Sequence, residues 1–321
     1  MDPTSYKAFW DRKATTTTGA LIAVDGSANE EVARLTGAYT ARQVEAALAL
    51  EPGDRVLELG CGVGRIGREL APKVAHWEGA DISANMLGVA RERLQGHANI
   101  GLTELRDSSL RALPDASFDK AYCVAVFIHM DKEDFLLYLE ELARVLKPGG
   151  LLFFDTWNLA HDVGWRRFAL EVGQYRGGDP SQRKDVARNQ FSTPQEVELF
   201  ARRSGLDLLQ AYTGSPWVQA VAMKPGGSRD AAAERTRLAA QSARIAYTPL
   251  WTELFDAMIR VTGEGLAPQA MLDALRDETR GEEIAMFRAW YRALWRHNAE
   301  HWGELPAALA DGDAPAQAGI Q

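Results

Sequence analysis

The chain has 321 residues, enough for one large domain or two, and 46% apolar and 25% charged residues are ordinary for a globular protein. A formal net charge of −8 removes any general attraction for nucleic acid or an anionic membrane surface. Two cysteines, Cys61 and Cys123, exclude a disulfide scaffold, and together with the polar start Met-Asp-Pro-Thr-Ser they lead us to expect a cytoplasmic protein without a leader or membrane span.

In chain order, Tyr6, Phe9 and Trp10 form an aromatic cluster beside Lys7, Arg12 and Lys13. They either pack on a domain edge or cover a site. Thr15 to Thr18 reads as a polar turn. Val44, Leu48 and Leu50 mark a helix from about Tyr39, stopped by Pro52-Gly53. Val56 to Leu59 is a short buried strand that runs into Gly60, Gly62 and Gly64, with a helix over Arg65 to Leu70. The next strand, Trp77 to Ala80, ends on Asp81. Glycines let a ligand lie against the main chain, and a carboxylate at the tip of the second strand can accept from a ribose diol. This unit therefore binds a molecule carrying a ribose. Residues 62–67 also match G-x-G-x-x-G, the dinucleotide fingerprint. Glu58 beneath the loop is a poor neighbour for a pyrophosphate and a better one for a cation.

Ser83 caps a helix over Ala84 to Leu94, and Ile100 to Leu105 is the third strand, leading to Asp107 and Ser108. Phe118-Asp119 opens a fourth strand over Lys120 to Ala125. An amphipathic helix over Asp131 to Leu146 follows, then Lys147-Pro148-Gly149-Gly150 and a fifth strand, Leu151 to Phe154.

Three of these landmarks occur together: Glu58-x-Gly60-x-Gly62-x-Gly64, Phe118-Asp119, and Leu146-Lys147-Pro148-Gly149-Gly150 before a hydrophobic strand. In that order they resemble the class I S-adenosylmethionine-dependent methyltransferases of small-molecule type. The resemblance covers roughly residues 40 to 225. It implies an α/β fold with a doubly wound, mostly parallel seven-stranded sheet, and S-adenosyl-L-methionine as cofactor. It further implies Gly60, Cys61, Gly62 and Gly64 around the methionine portion, with Glu58 beneath it. Asp81 would take the ribose, Ile82 and Met86 would lie against the adenosine, and Asp107 and Ser108 would meet the adenine. Val124 and Ala125 would pass near the donor methyl group. Residues 1–53 would form a helical cover.

Residues 155–190 read as an irregular segment, placed to recognise the acceptor. Thr193-Pro194-Gln195-Glu196 is a capping box opening a helix to about Ser204. Two strands, Leu206 to Tyr212 and Trp217 to Met223, form a closing hairpin, so residues 54–225 make up the cofactor domain. Residues 226–310 read as an all-α extension, its longest helix spanning about Glu282 to Glu304, and residues 311–321 as a disordered tail.

His129 follows the fourth strand, and His161 lies in the insertion; either can act as a general base. His297 and His301 lack the glutamate of H-E-x-x-H. The fourth strand ends in Val124 and Ala125, where a catechol-type enzyme has a carboxylate to join groups such as Asp155 and Asn158. No metal is expected. The expected activity is methyl transfer to oxygen or nitrogen of a small-molecule or glycan-like acceptor, with no nucleic-acid or membrane partner. The C-terminal helices could join two copies. Two alternatives stand: an NAD(P)-dependent oxidoreductase, and a non-catalytic assembly module.

Overall fold

A computed structural model describes residues 3–178, 188–275 and 281–310. Three helices precede the sheet: α1 (Pro3–Lys13), α2 (Thr17–Asp25) and α3 (Glu30–Leu48). The core follows as β1 (Arg55–Leu59), α4 (Gly67–Leu70), β2 (His76–Asp81), α5 (Ala84–Arg93), β3 (Ile100–Glu104), β4 (Phe118–Cys123), α6 (Lys132–Val145) and β5 (Leu146–Asn158). After α7 (Asp162–Tyr175) come β6 (Phe191–Ser192), α8 (Pro194–Arg203), β7 (Asp207–Tyr212) and β8 (Trp217–Met223). The described chain continues as α9 (Ala231–Ala240), α10 (Ser242–Ile245), α11 (Pro249–Glu264), α12 (Gln269–Leu275), α13 (Glu282–His297) and α14 (Ala299–Trp302).

The sheet order is β3-β2-β1-β4-β5-β8-β7. Pairing is parallel from β3 to β5, while β8 runs antiparallel to both β5 and β7. The closing hairpin thus falls where its strands were expected, and the doubly wound α/β architecture is present. The sheet has an eighth strand, two-residue β6, paired to the far end of β5.

Strand alternation feeds two cores. Leu57 and Leu59 face Phe135, Leu139 and Leu142 of α6 and Val197 of α8. Val56 faces the other way, to Val44 and Leu48 of α3 and Leu87 and Ala90 of α5. The order in which successive strands are added reverses between β1 and β4, so the crevice at their carboxyl ends is the topological switch point.

Several local expectations need correction. β5 runs through Asn158 rather than ending at Phe154, because Asp155 to Trp157 still pair with β8. Much of the segment read as irregular is helix α7. His161 caps it, its Nδ1 accepting from the Val163 N–H at 3.2 Å. Residues 179–187 of that segment, and the tail 311–321, lie outside the described residues. Of the Thr15–Thr18 turn, Thr15 and Thr16 stay outside the helices and Thr17 and Thr18 start α2, capped by Thr16, which accepts from the Gly19 N–H at 3.0 Å. α3 begins nine residues before Tyr39, where Asn29 caps it and Glu30 and Glu31 fill the first turn. The last long helix breaks at Asn298, whose backbone N–H and Nδ2 both reach back to Leu294 O.

α1 and α2 lie at the switch-point end of the sheet, while α3 packs Val44 and Leu48 against one face. The C-terminal carbonyls of α3 are taken up by two cations from distant elements. Lys120 of β4 donates to Leu48 O at 2.9 Å, and Arg237 of α9 donates to Ala46 O and Ala47 O at 2.6 and 2.7 Å. The later helices bury Trp251, Phe255, Phe287 and Tyr291 together with Trp157, Phe191 and Trp217 from the sheet. No helix among the described residues is long and apolar enough to cross a membrane.

Candidate functional site

The glycine loop leaves β1 at the switch point. Gly60 and Gly62 have φ of +71° and +51°, and a Cβ on Gly60 would come within 2.3 Å of Val126 Cγ2. Only glycine permits both this backbone and this approach. The Gly60 N–H donates to Ala80 O at 2.7 Å, which ties the loop to the end of β2.

Asp81 sits at that end and is buried. Its Oδ2 accepts from the Gly62 N–H and its Oδ1 from the Ser83 N–H, each at 2.8 Å. These bonds hold the carboxylate in one orientation, and each oxygen keeps a further lone pair for a ligand. Burial raises its pKa; the Ser83 and Gly62 N–H groups oppose that rise.

Beneath the loop, Glu58 is buried and accepts from Tyr122 Oη at 2.6 Å, while Trp77 Nε1 donates to the same hydroxyl at 2.9 Å. Burial pushes the Glu58 carboxyl up to about 8, against the Tyr122 hydrogen bond and the Arg65 charge. A cationic ligand above it would draw that proton off.

The loop opens onto a pocket. Its lining includes Glu58, Gly60, Cys61, Gly62, Asp81, Ile82, Met86, Ser108, Val124, Ala125 and His129. All of these were named from sequence. The pocket is roofed by the N-terminal helices, with Tyr6 and Trp10 of α1 and Ala23 and Val24 of α2 in its wall. The Trp10 ring meets the His129 ring edge-on at 5.0 Å between centroids. Phe9 packs against Trp10 and does not line the pocket.

Three residues named from sequence lie elsewhere. Gly64 is turned toward α5, where a Cβ would meet Leu94 and Ala90. The Asp107 carboxylate accepts from Ser109 and pairs with Arg111 on the outside, leaving neighbouring Ser108 in the pocket wall. Its place depends on how the loop after β3 turns, which local sequence does not set. His161 is spent on the α7 cap and is not in the wall, and burial lowers its pKa.

Sequence reasoning missed Arg65, Asp134 and Tyr138, which line the pocket, and the role of Asp155. Asp155 is buried within β5 and accepts from the Ala125 N–H at 2.7 Å. That bond holds Ala125 in a left-handed conformation, φ +58°, unfavourable for a residue with a Cβ. Burial raises Asp155 to about 7. The signal available in sequence was its place one residue past the apolar run of β5.

Residues 56–150 match the family profile of a methyltransferase domain. The chain carries a class I S-adenosylmethionine-dependent methyltransferase domain. It is 35% identical over 156 residues to a ubiquinone biosynthesis O-methyltransferase of Paraburkholderia phymatum, covering 48% of this chain and 65% of that protein. It is 31% identical over 144 residues to phosphoethanolamine N-methyltransferase 1 of Zea mays, covering 44% of this chain and 28% of that protein. The chain thus spans less than two thirds of these curated relatives. The fold is also that of magnesium protoporphyrin IX methyltransferase from Synechocystis, solved with bound S-adenosylhomocysteine: TM-score 0.53, 18% identity, 70% of this chain and 100% of that one.

The residues of the methyltransferase domain fit its cofactor, S-adenosylmethionine. The glycine cradle is open where side chains would fill it, the buried Asp81 carboxylate is bonded into its edge, and a protonatable glutamate, Glu58, lies beneath it.

Proposed function

We propose that this protein transfers the methyl group of S-adenosylmethionine to an oxygen or nitrogen of a small-molecule or glycan-like acceptor. In this reading residues 54–225 form the catalytic domain and residues 226–310 a helical extension. One observation carries it: Gly60, Gly62 and Asp81 are hydrogen-bonded into a single open cradle at the switch point, roofed by α1 and α2. The bound cofactor supplies an activated methyl group on a positive sulfur. The protein's part is to align acceptor, carbon and sulfur and to exclude water. Asp81 holds the ribose, Ile82 and Met86 flank the adenosine, and Ser108 faces the adenine. Val124 and Ala125 border the methyl position, with Asp155 fixing the Ala125 backbone.

His129 is the proposed base. It lines the pocket at the end of β4, beside Trp10. It would take the proton of a hydroxyl or amine as the new bond forms. Oxygen acceptors are tested first, since the relatives from Paraburkholderia are O-methyltransferases.

Calorimetric titration with S-adenosylmethionine and S-adenosylhomocysteine tests the reading. Both are expected to bind in the micromolar range, and Asp81→Ala to weaken each roughly tenfold or more, about 1.4 kcal/mol. Binding of NADH instead would overturn it. A screen of hydroxyl and amine acceptors with labelled donor then follows. His129→Gln is expected to lower kcat by about a hundredfold or more while cofactor affinity holds.

A further inference from the structure

One charged group in the pocket wall has no part in the reading above. Arg65 follows the last glycine of the loop, and its side chain is 10% exposed. Its Nε lies 3.4 Å from Asp25 Oδ1 at the end of α2. The same oxygen accepts from Thr36 Oγ1 at 3.1 Å. Arg65 Nη1 is buried and has no hydrogen-bond partner. A guanidinium N–H left in that state is costly unless an acceptor arrives with a ligand.

The charges of the wall narrow the ligand. Among the described residues that line the pocket, Arg65 is the single lysine or arginine, while Glu58, Asp81 and Asp134 are the carboxylates. S-adenosylmethionine likewise carries one anionic group, the α-carboxylate of its methionine portion. Position agrees with charge. Val24, next to Asp25, lies 3.1 Å from where a Cβ on Gly62 would stand. The Asp25–Arg65 pair therefore flanks the glycine loop, where the amino-acid end of the cofactor is placed.

We propose that the Arg65 guanidinium is the anchor for the α-carboxylate of the bound cofactor, held in position by Asp25. This rests on the cofactor reading above. A carboxylate there accepts a charge-assisted hydrogen bond from Nη1 in a dry site, where such a bond is strongest. The competing role is purely structural, with Arg65 tying α2 to the loop through Asp25.

Ligand truncation separates the two. S-adenosylhomocysteine has the carboxylate; 5′-methylthioadenosine keeps the adenosine and sulfur but lacks the whole amino-acid end. Both are titrated calorimetrically into wild type, Arg65→Gln and Arg65→Lys. The expected result is a loss of roughly tenfold or more for S-adenosylhomocysteine in Arg65→Gln, with 5′-methylthioadenosine changed by less than about threefold. Arg65→Lys should fall between, since it keeps the charge but not the fork. The ratio of the two affinities within one variant cancels any general weakening of the fold. If Arg65→Gln does not fold, the same selective loss in Arg65→Lys carries the test. Equal losses for both ligands, or none for S-adenosylhomocysteine, overturn the proposal. If wild type binds neither ligand, the functional reading itself fails; if wild type binds both and selectivity never changes, only the role of Arg65 fails.

Discussion

At the scale of the residue, the buried acids of the site couple its chemistry to pH. Glu58 has a folded pKa of about 8 against an ordinary value of 4.5. The folded state therefore binds the proton more tightly than the unfolded chain does. Its contribution to stability is complete below the unfolded value and is lost as pH rises through about 8. Asp155, raised to about 7, acts in the same direction. Urea denaturation between pH 5 and pH 9 should show wild type losing stability across this window. Glu58→Gln, which keeps the shape and cannot ionise, should lose distinctly less. Parallel pH profiles for the two proteins would remove Glu58 from the account.

The element scale concerns the roof. α1 packs Trp10 on a small apolar cluster separate from the two cores that flank the sheet, and is latched by polar contacts at several points. Asp11 Oδ1 accepts from Ser83 Oγ at 2.7 Å and from the Asn85 N–H at 3.3 Å, and Asn85 Nδ2 donates to Asp11 O at 2.9 Å. Lys7 donates to Ile82 O at 3.2 Å and to Glu104 at 2.7 Å. A helix held this way can open without dismantling a core, as cofactor entry requires. Asp11→Ala should speed release of S-adenosylhomocysteine by about fivefold, one hydrogen bond's worth at ~1 kcal/mol, with little change in its capture rate. Stopped-flow tryptophan fluorescence would read this, because Trp10 is part of the wall. The far end of α3 makes the opposite case. Arg237 joins it to α9 through two carbonyls, so Arg237→Ala should cost roughly 1–3 kcal/mol in urea denaturation and leave cofactor affinity unchanged.

For the whole molecule, the question is whether the helical extension is independent of the sheet. Its apolar side chains share one core with Trp157 of β5 and Trp217 of β8, whose rings stack at 4.6 Å. Polar ties cross the same boundary: Tyr39 donates to Glu283 at 2.6 Å, and Gln43 and Gln219 both donate to Ile245 O. A shared core of this kind predicts a single cooperative unfolding transition. Trp251, 4% exposed, stacks on Tyr247 and Phe255. Trp251→Ala should cost about 3–5 kcal/mol and lower the one transition without splitting it. Two separate calorimetric peaks in wild type would contradict this.

Sequence by itself determined what depends on local backbone chemistry and on spacing along one βαβ unit. The glycines that permit positive φ, the acid at the tip of β2 and the order of the strands are all of that kind, so the family, the sheet and the glycine-loop side of the pocket wall were legible. Even the failures follow that line. Gly64 and Asp107 were assigned by position in a motif, but the side to which each faces is set by packing against α5 and by the turn after β3. Tertiary structure alone decided what comes from far along the chain. α1 reaches Ser83 and Glu104, Asp25 stands beside Arg65, Asp155 holds the backbone of Ala125, and the C-terminal helices close against β5 and β8. Such contacts join residues with no shared period or motif. They follow from which surfaces remain to be buried once the sheet has formed, and a pattern read along the chain does not carry that information.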